Sequence, residues 1–318
     1  MTRVAAIDCG TNSIRLLISE VQDDGKVRDI TRTMEIVRLG QGVDATGEFA
    51  PEALERTRAA LVEYVKQMKF ENVERVRMVA TSATRDAKNQ REFFDMTAEL
   101  LGEVQPGASA EVISGEEEAL LSFKGAVGDL HYEPGPFCVI DLGGGSTEFV
   151  VGTYEGEILG SHSTQVGCVR LTERIMRSDP PTEAEVEIAT EYVAERMAEV
   201  EKIVPIDKAA TFVGCAGTFT TLSALAQGLE RYDADAIHGS ELRFDALRVL
   251  TRQLMAQPAD VRALNPVIHP GRADVIGGGS VAVEGIMTMI ERNCDARTFF
   301  ISEKDILDGI IAGLVEEL

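Results

Sequence analysis

Apolar and polar positions along the chain spell one order of elements twice. In the first run, residues 3–8, 14–20 and about 26–37 read as strands. A helix over 51–69 follows, opened by Pro51 and striped by Leu54, Leu61, Val65 and Met68. Strand 75–80, helix 90–102, strand 110–113 and helix 115–125 complete that run. The second run restarts with strands at 137–141, 147–152 and 157–163. Its helix 183–203 begins at a Thr182/Glu185 capping box and carries Val186, Val193, Met197 and Val200 on one face. Strand 211–214, a turn over 214–218, a helix to Leu229 and helical segments to about 292 come next. Strand 297–301 and a helix over 303–318 close the chain. The stretch HYEPGP, from His131 to Pro136, separates the two runs and reads as a linker.

Each run carries the same polar interruption near its start. Val139 to Glu148 reads VIDLGGGSTE, a strand end, an acid, three glycines, two hydroxyls and a second acid. Sliding by 133 residues lays Asp8 on Asp141, Gly10 on Gly143 and Ser13 on Ser146. Glycines at such a turn leave consecutive backbone N–H groups open to a phosphate. Asp141 and Glu148 frame the second turn with hard oxygen ligands of the kind Mg²⁺ takes. A plain hairpin turn is the bland alternative. The acid–loop–acid order and its repetition favour a phosphate site in each of two related half-domains.

Composition narrows the class. The 318 residues are 44% hydrophobic and 26% charged, as in a soluble globular protein of two domains. The start, MTRVAAIDCG, has an acid within its first apolar run and does not read as a signal peptide, and no run approaches a membrane span. Five cysteines and four histidines lack metal-site spacing, which suggests buried free thiols and a cytoplasmic location. A net charge of −22 argues against nucleic acid or an anionic membrane as partner. A polyanionic substrate then needs local basic patches. Glu74 to Arg91 offers five basic residues against two acids, and Arg170, Arg174 and Arg177 stand against Glu173. For most of these residues ordinary helix surface is the better reading.

The segments IDCGTNSIRL (7–16), ATSATRDAKN (80–89), ISGEEEA (113–119), IDLGGGSTE (140–148), GCVRLTE (167–173), SDPPT (178–182) and GCAGTFTTL (214–222) together resemble the exopolyphosphatase/guanosine pentaphosphate phosphatase family. That resemblance implies an α/β fold of two ribonuclease-H-like (actin/hexokinase-type) domains, mixed sheets flanked by helices, with the active site in the interdomain cleft. The duplicated pattern divides the chain into residues 1–125 plus the helix 303–318, and residues 126–302. Ile306, Ile310 and Leu314 stripe that last helix for the first domain. The chain departs from the family pattern at Thr11, where Ser is usual, at Leu120, where Arg often stands, and at Ala216, where Gly is usual. Longer members continue into a helical extension, whose properties are not carried over. A homodimer is implied by family habit alone.

Hydrolysis of a terminal phosphoanhydride needs charge neutralisation, an in-line water and a base. Arg85, after a strand and the polar turn Thr81–Thr84, is the expected grip on the terminal phosphoryl group, against a surface pair with Asp86 or Glu92 as the alternative. Among Glu116, Glu117 and Glu118, the second belongs to a Ser114/Glu117 capping box and the first to the helix dipole. Glu118 begins the face continued by Leu121 and Ser122, and the resemblance places the catalytic carboxylate there too. Asp141 with Glu148 is the metal or water-orienting pair. Asp8 is a further metal candidate, and one of the two aspartates can serve only to brace its hairpin. Thr11, Asn12, Ser13, Gly143, Gly144, Gly145, Ser146 and Thr147 are assigned to substrate phosphate, and Asn89 to capping a helix.

The leading expectation is Mg²⁺-dependent release of terminal phosphate from inorganic polyphosphate; the alternative within the same class is removal of the 5′-terminal phosphate of guanosine pentaphosphate. A kinase of the same superfold would want an adenosine pocket, for which Gly277–Gly279 is the one candidate. A non-catalytic actin-like scaffold ranks last.

Overall fold

The computed structural model describes residues 1–128, 130 and 133–318. His131 and Tyr132, which open the expected linker, lie outside the described residues. The chain divides into two compact units, Met1–Leu121 with Ile306–Leu318, and Ser122–Asp305.

In the first unit β1 (Thr2–Cys9), β2 (Ser13–Val21), β3 (Val27–Ile36), β4 (Arg75–Ala80) and β5 (Ala110–Val112) form one sheet in the order β3-β2-β1-β4-β5. The first three strands are a meander of antiparallel hairpins, and β4 and β5 add in parallel. Central β1 is covered on both faces, so its alternation selects a layer rather than an inside and an outside. Ala5, Ile7 and Cys9 join a core with Leu54, Leu61 and Met68 of the helix Pro51–Phe70 and Phe93 of the helix Gln90–Leu101. Val4 and Ala6 pack with Ile306, Ile310 and Leu314 of the closing helix Ile306–Glu316. The apolar stripe of that helix is thus buried by the first unit.

The second unit repeats the plan. It holds β6 (Phe137–Leu142), β7 (Thr147–Gly152), β8 (Ile158–Thr164), β9 (Thr211–Cys215), β10 (Glu241–Arg243) and β11 (Thr298–Ile301), in the order β10-β11-β9-β6-β7-β8. Strands β8-β7-β6-β9-β11 copy the order and directions of the first sheet, and β10 adds an antiparallel edge. Both sheets have the ribonuclease-H-like arrangement. Ile140, Leu142 and Phe149 face Val193 and Met197 of the helix Glu183–Ile203 and Ile286 of the helix Ile276–Asn293 in one core. Thr182 caps the former helix in a full capping box with Glu185.

Several local expectations change. The polar turn Thr81–Thr84 is the start of a short helix, Ser82–Asp86, with Thr81 at its N-cap. Ser114 does accept the Glu117 N–H at 3.1 Å, but the Glu117 carboxylate bonds Arg77 at 2.7 Å instead of its own helix start. Either bond would be charge-assisted, but Arg77 on β4 also brings an opposite full charge, which the backbone N–H does not. Asn89 stands at an N-cap without capping. Its amide bonds the Phe49 N–H at 2.7 Å and the Phe49 carbonyl at 3.1 Å. At the expected turn over 214–218, β9 runs on to Cys215 and the helix begins at once, spanning Ala216–Ala226 where it was expected to reach Leu229.

Candidate active site

Both glycine motifs form turns closed by the same bond. Gly10 N–H donates to Ser13 O and Gly143 N–H to Ser146 O, each at 3.0 Å. A trans peptide points its C=O and N–H in opposite directions, so whatever holds the carbonyls aims the donors. In the second turn Cys168 N–H donates to Gly143 O at 3.1 Å, and Val169 and Arg170 N–H donate to Gly144 O at 2.9 and 3.0 Å. Arg170 Nε donates to Gly145 O at 2.7 Å. The N–H groups of Gly144, Gly145 and Ser146 are therefore turned away from the segment 168–170, the geometry of an anion nest. The approach is close enough that a Cβ on Gly167 would lie 2.3 Å from the Gly144 oxygen and 2.5 Å from the Gly145 nitrogen. In the first turn Gly40 N–H holds Thr11 O at 2.8 Å, and Val37 and Arg38 N–H hold Asn12 O at 3.1 and 2.8 Å. The N–H groups of Asn12 and Ser13 point the other way.

The acids beside the two turns differ in their partners. Asp8 lies opposite Arg15 across β1 and β2, and Arg15 Nη2 donates to its Oδ2 at 2.7 Å. That ion pair braces the first hairpin. At the equivalent place in the second unit, Asp141 lies opposite Glu148 across β6 and β7. Cross-strand neighbours share a face, so the repeat replaces an acid–base pair by two acids. Both are buried, Asp141 at 7% exposure and Glu148 at 1%. Ser122 Oγ donates to Asp141 Oδ2 at 2.5 Å and Ser163 Oγ to Glu148 Oε1 at 2.7 Å. Like charges held opposite each other and out of water favour an added cation. Among the described residues no group of three or more His, Cys, Asp or Glu side chains converges as a metal site. Mg²⁺ commonly takes only one or two carboxylates and keeps its waters, so the donor set at Asp141 and Glu148 fits that ion. Thr147 is fully buried, and its hydroxyl donates to Val166 O at 2.6 Å, which makes it a brace of the turn.

Arg85 and Glu118 meet in the first unit. Arg85 Nη1 donates to Glu118 Oε2 at 2.8 Å and to Ile113 O at 3.0 Å, and neither Asp86 nor Glu92 is its partner. Glu118, Ala119, Ser122 and Phe123 form the buried stripe of the helix Gly115–Val127, while Glu116 is exposed. The register that the sequence suggests for the three glutamates is the one observed. Of the other cations of the Glu74–Arg91 patch, Arg75 pairs with Glu317, Arg77 with Glu111 and Glu117, and Arg91 with Asp95.

Duplicated nests, paired buried acids and an arginine on an inward-facing glutamate describe a phosphoryl-handling protein. A model of the Ppx/GppA phosphatase family matches residues 17–315. The chain belongs to that family. It is 53% identical over 317 residues to "Exopolyphosphatase 2" of Mycobacterium tuberculosis, covering 99% of both chains. A crystal structure described as an exopolyphosphatase-like protein is similar at a TM-score of 0.93 and 38% identity, covering 99% of each chain. An Aquifex aeolicus Ppx/GppA structure is similar at a TM-score of 0.79 and 32% identity, over 99% of this chain and 98% of that one. The chain is therefore an enzyme, a hydrolase of the Ppx/GppA type.

Three further features of this Ppx/GppA chain lie near the second turn or bear on alternative chemistries. Ala216 holds the left-handed backbone, φ +69°, that the missing glycine would adopt freely. Gly277–Gly279 are buried inside the helix Ile276–Asn293, where a Cβ on Gly278 would meet Cys168 O at 2.6 Å and one on Gly279 would meet Thr218 Oγ1 at 2.7 Å. Close helix packing thus accounts for Gly278 and Gly279, whereas a Cβ on Gly277 would meet Arg262 at an ordinary 3.5 Å. Cys9 and Cys168 stand next to the turns, yet burial pushes both thiols up, that of Cys168 to about 11, so neither offers a thiolate nucleophile at neutral pH. Arg170 is the residue that sequence reasoning undervalued. It reads as helix surface, and the one signal was its place three residues after Gly167 in a segment that must approach a glycine turn closely.

Proposed function

We propose that this enzyme is a Mg²⁺-dependent exopolyphosphatase that hydrolyses the terminal phosphoanhydride of inorganic polyphosphate. The observation that carries the reading is the repeated turn, Gly10–Ser13 in one unit and Gly143–Ser146 in the other, each closed by the same bond and each with its own carbonyls held by a neighbouring segment. Each such nest suits the oxygens of a phosphate group. The name of the mycobacterial relative at 53% identity supports the same substrate class.

In this reading the backbone donors of both turns and the side chains of Thr11, Asn12, Ser13 and Ser146 bind phosphate oxygens. Arg85 grips the terminal phosphoryl group with its planar fork. Glu118 accepts the proton of the attacking water as general base. The water oxygen bonds to the terminal phosphorus, the bridging P–O bond breaks, and its electron pair leaves with the shortened chain. Asp141 and Glu148, with Asp8 as a further candidate, would hold Mg²⁺, which when bound neutralises charge on the phosphate oxygens.

The test is phosphate release over time from long polyphosphate, short polyphosphate and guanosine pentaphosphate side by side, with Mg²⁺ and with a chelator. Release from polyphosphate that stops on chelation and returns with Mg²⁺ is the expected result. Faster release from guanosine pentaphosphate would reassign the substrate. Release indifferent to chelation would remove the metal from the mechanism, and no release from any of the three would overturn the reading.

A further inference from the structure

The three peptides of the second turn are not held in the same way. Those joining Gly143 to Gly144 and Gly144 to Gly145 are fixed through their carbonyls by backbone N–H groups of residues 168–170, donors that nearly any sequence supplies. The third, joining Gly145 to Ser146, receives its bond among the described residues from a side chain, Arg170 Nε at 2.7 Å. We propose that Arg170 is a positioning residue for phosphate binding, which draws the Gly145 carbonyl to its own side and thereby aims the Ser146 N–H at the substrate.

The argument rests on peptide planarity. Rotation of one peptide by half a turn exchanges its C=O for its N–H, and a carbonyl facing a phosphate repels it. In a glycine turn such flips cost little, because glycine tolerates both signs of φ. A charge-assisted bond from a guanidinium is directional and strong enough to hold one orientation. The closeness is built in, since Gly167 lets the segment 168–170 lie directly against the turn. The neighbouring cations do something else. Arg174 lies over the Tyr192 ring at 5.5 Å, and Arg177 Nε donates to Glu173 O at 3.0 Å.

The proposal deepens the polyphosphatase reading and rests on it for its substrate, so its test carries a readout independent of turnover. Arg170→Met keeps the length and removes the donor, while Arg170→Lys restores a donor without the fork. We expect Arg170→Met to raise the KM for polyphosphate about tenfold, the worth of one ordinary donor, with kcat within about threefold. The rise should persist at 0.5 M salt, where simple charge attraction is screened to a few ångströms. Arg170→Lys should recover most of it. Calorimetric binding of pyrophosphate should weaken in parallel, with thermal unfolding as the check on folding. An unchanged KM and pyrophosphate affinity in a folded Arg170→Met enzyme would overturn the proposal. So would a defect that vanishes at high salt, which would make Arg170 a diffuse charge. A wild-type enzyme inert toward polyphosphate, beside weakened pyrophosphate binding in Arg170→Met, would overturn the substrate reading and leave the positioning role standing.

Discussion

Arg85 Nη1 sits between two acceptors, the Glu118 carboxylate at 2.8 Å and the Ile113 carbonyl at 3.0 Å. The backbone carbonyl anchors the guanidinium just beyond the end of β5, and the same nitrogen holds the Glu118 carboxylate in one orientation. The three adjacent glutamates then make an internal control. Glu118→Gln keeps an oxygen for Arg85, so it should fold and bind phosphate but lose about 10²–10⁴ in kcat. Glu117 is half-exposed and pairs with Arg77, so Glu117→Gln should leave kcat unchanged and alter stability by less than about 1 kcal/mol. Steady-state phosphate release and thermal unfolding check both. A Glu118→Gln enzyme with normal turnover beside a dead, folded Glu117→Gln would sink the assignment.

Replacing the arginine tests the other half of the pair. Arg85→Lys retains a charge but loses the planar fork, and a preorganised donor of this kind is worth about 10²–10³ in kcat. The expected outcome is a fall of that order with a folded protein. If kcat and KM for polyphosphate both stayed at wild-type values, Arg85 would be only a partner of Glu118.

Gly167 and Gly313 predict opposite signs for the same substitution. A Cβ on Gly167 collides with the backbone of Gly144 and Gly145, atoms that cannot move aside without displacing the turn. Gly167→Ala should cost about 1–3 kcal/mol and weaken phosphate binding. Gly313 lies within the closing helix with nothing within 4 Å of an added Cβ, so Gly313→Ala should stabilise by up to about 1 kcal/mol. Paired unfolding curves and KM values decide the matter, and equal effects at the two sites would contradict the packing described.

The cysteines set the alkaline limb of stability. Cys168 has its thiol pushed up from 9.0 to about 11 by burial, and Cys9 and Cys138 are pushed further in the same direction. Above about pH 9 the unfolded chain loses these protons while the folded one keeps them, so stability falls as pH rises. Cys168→Ala should flatten that fall between about pH 9 and 11, read from denaturant midpoints. In native protein at pH 8 a thiol reagent should label Cys294 first, the one cysteine that is not buried, and all five only after unfolding. Fast labelling of Cys9 or Cys168 would show that their surroundings open readily.

Features that depend on near neighbours along the chain were legible in the sequence. The strands, both glycine turns, the Thr182/Glu185 cap and the inward register of Glu118 follow from periods of 2 and 3.6 and from turn chemistry. The 133-residue repeat, with Arg15 falling on Glu148, was also there to be read. Its meaning in charge was not, because that requires knowing that each stands directly across from an aspartate. The hydrogen-bond partners emerge only in the folded chain. Glu117 chooses Arg77 on β4 over its own helix start, Asn89 chooses the Phe49 backbone over its helix, and Arg170 reaches back to Gly145. Each contest is between a local hydrogen bond, which spacing along the chain predicts, and a stronger or better-shielded one. The second kind exists only after the fold brings distant segments side by side, and no rule of spacing states which distant donor will then lie close.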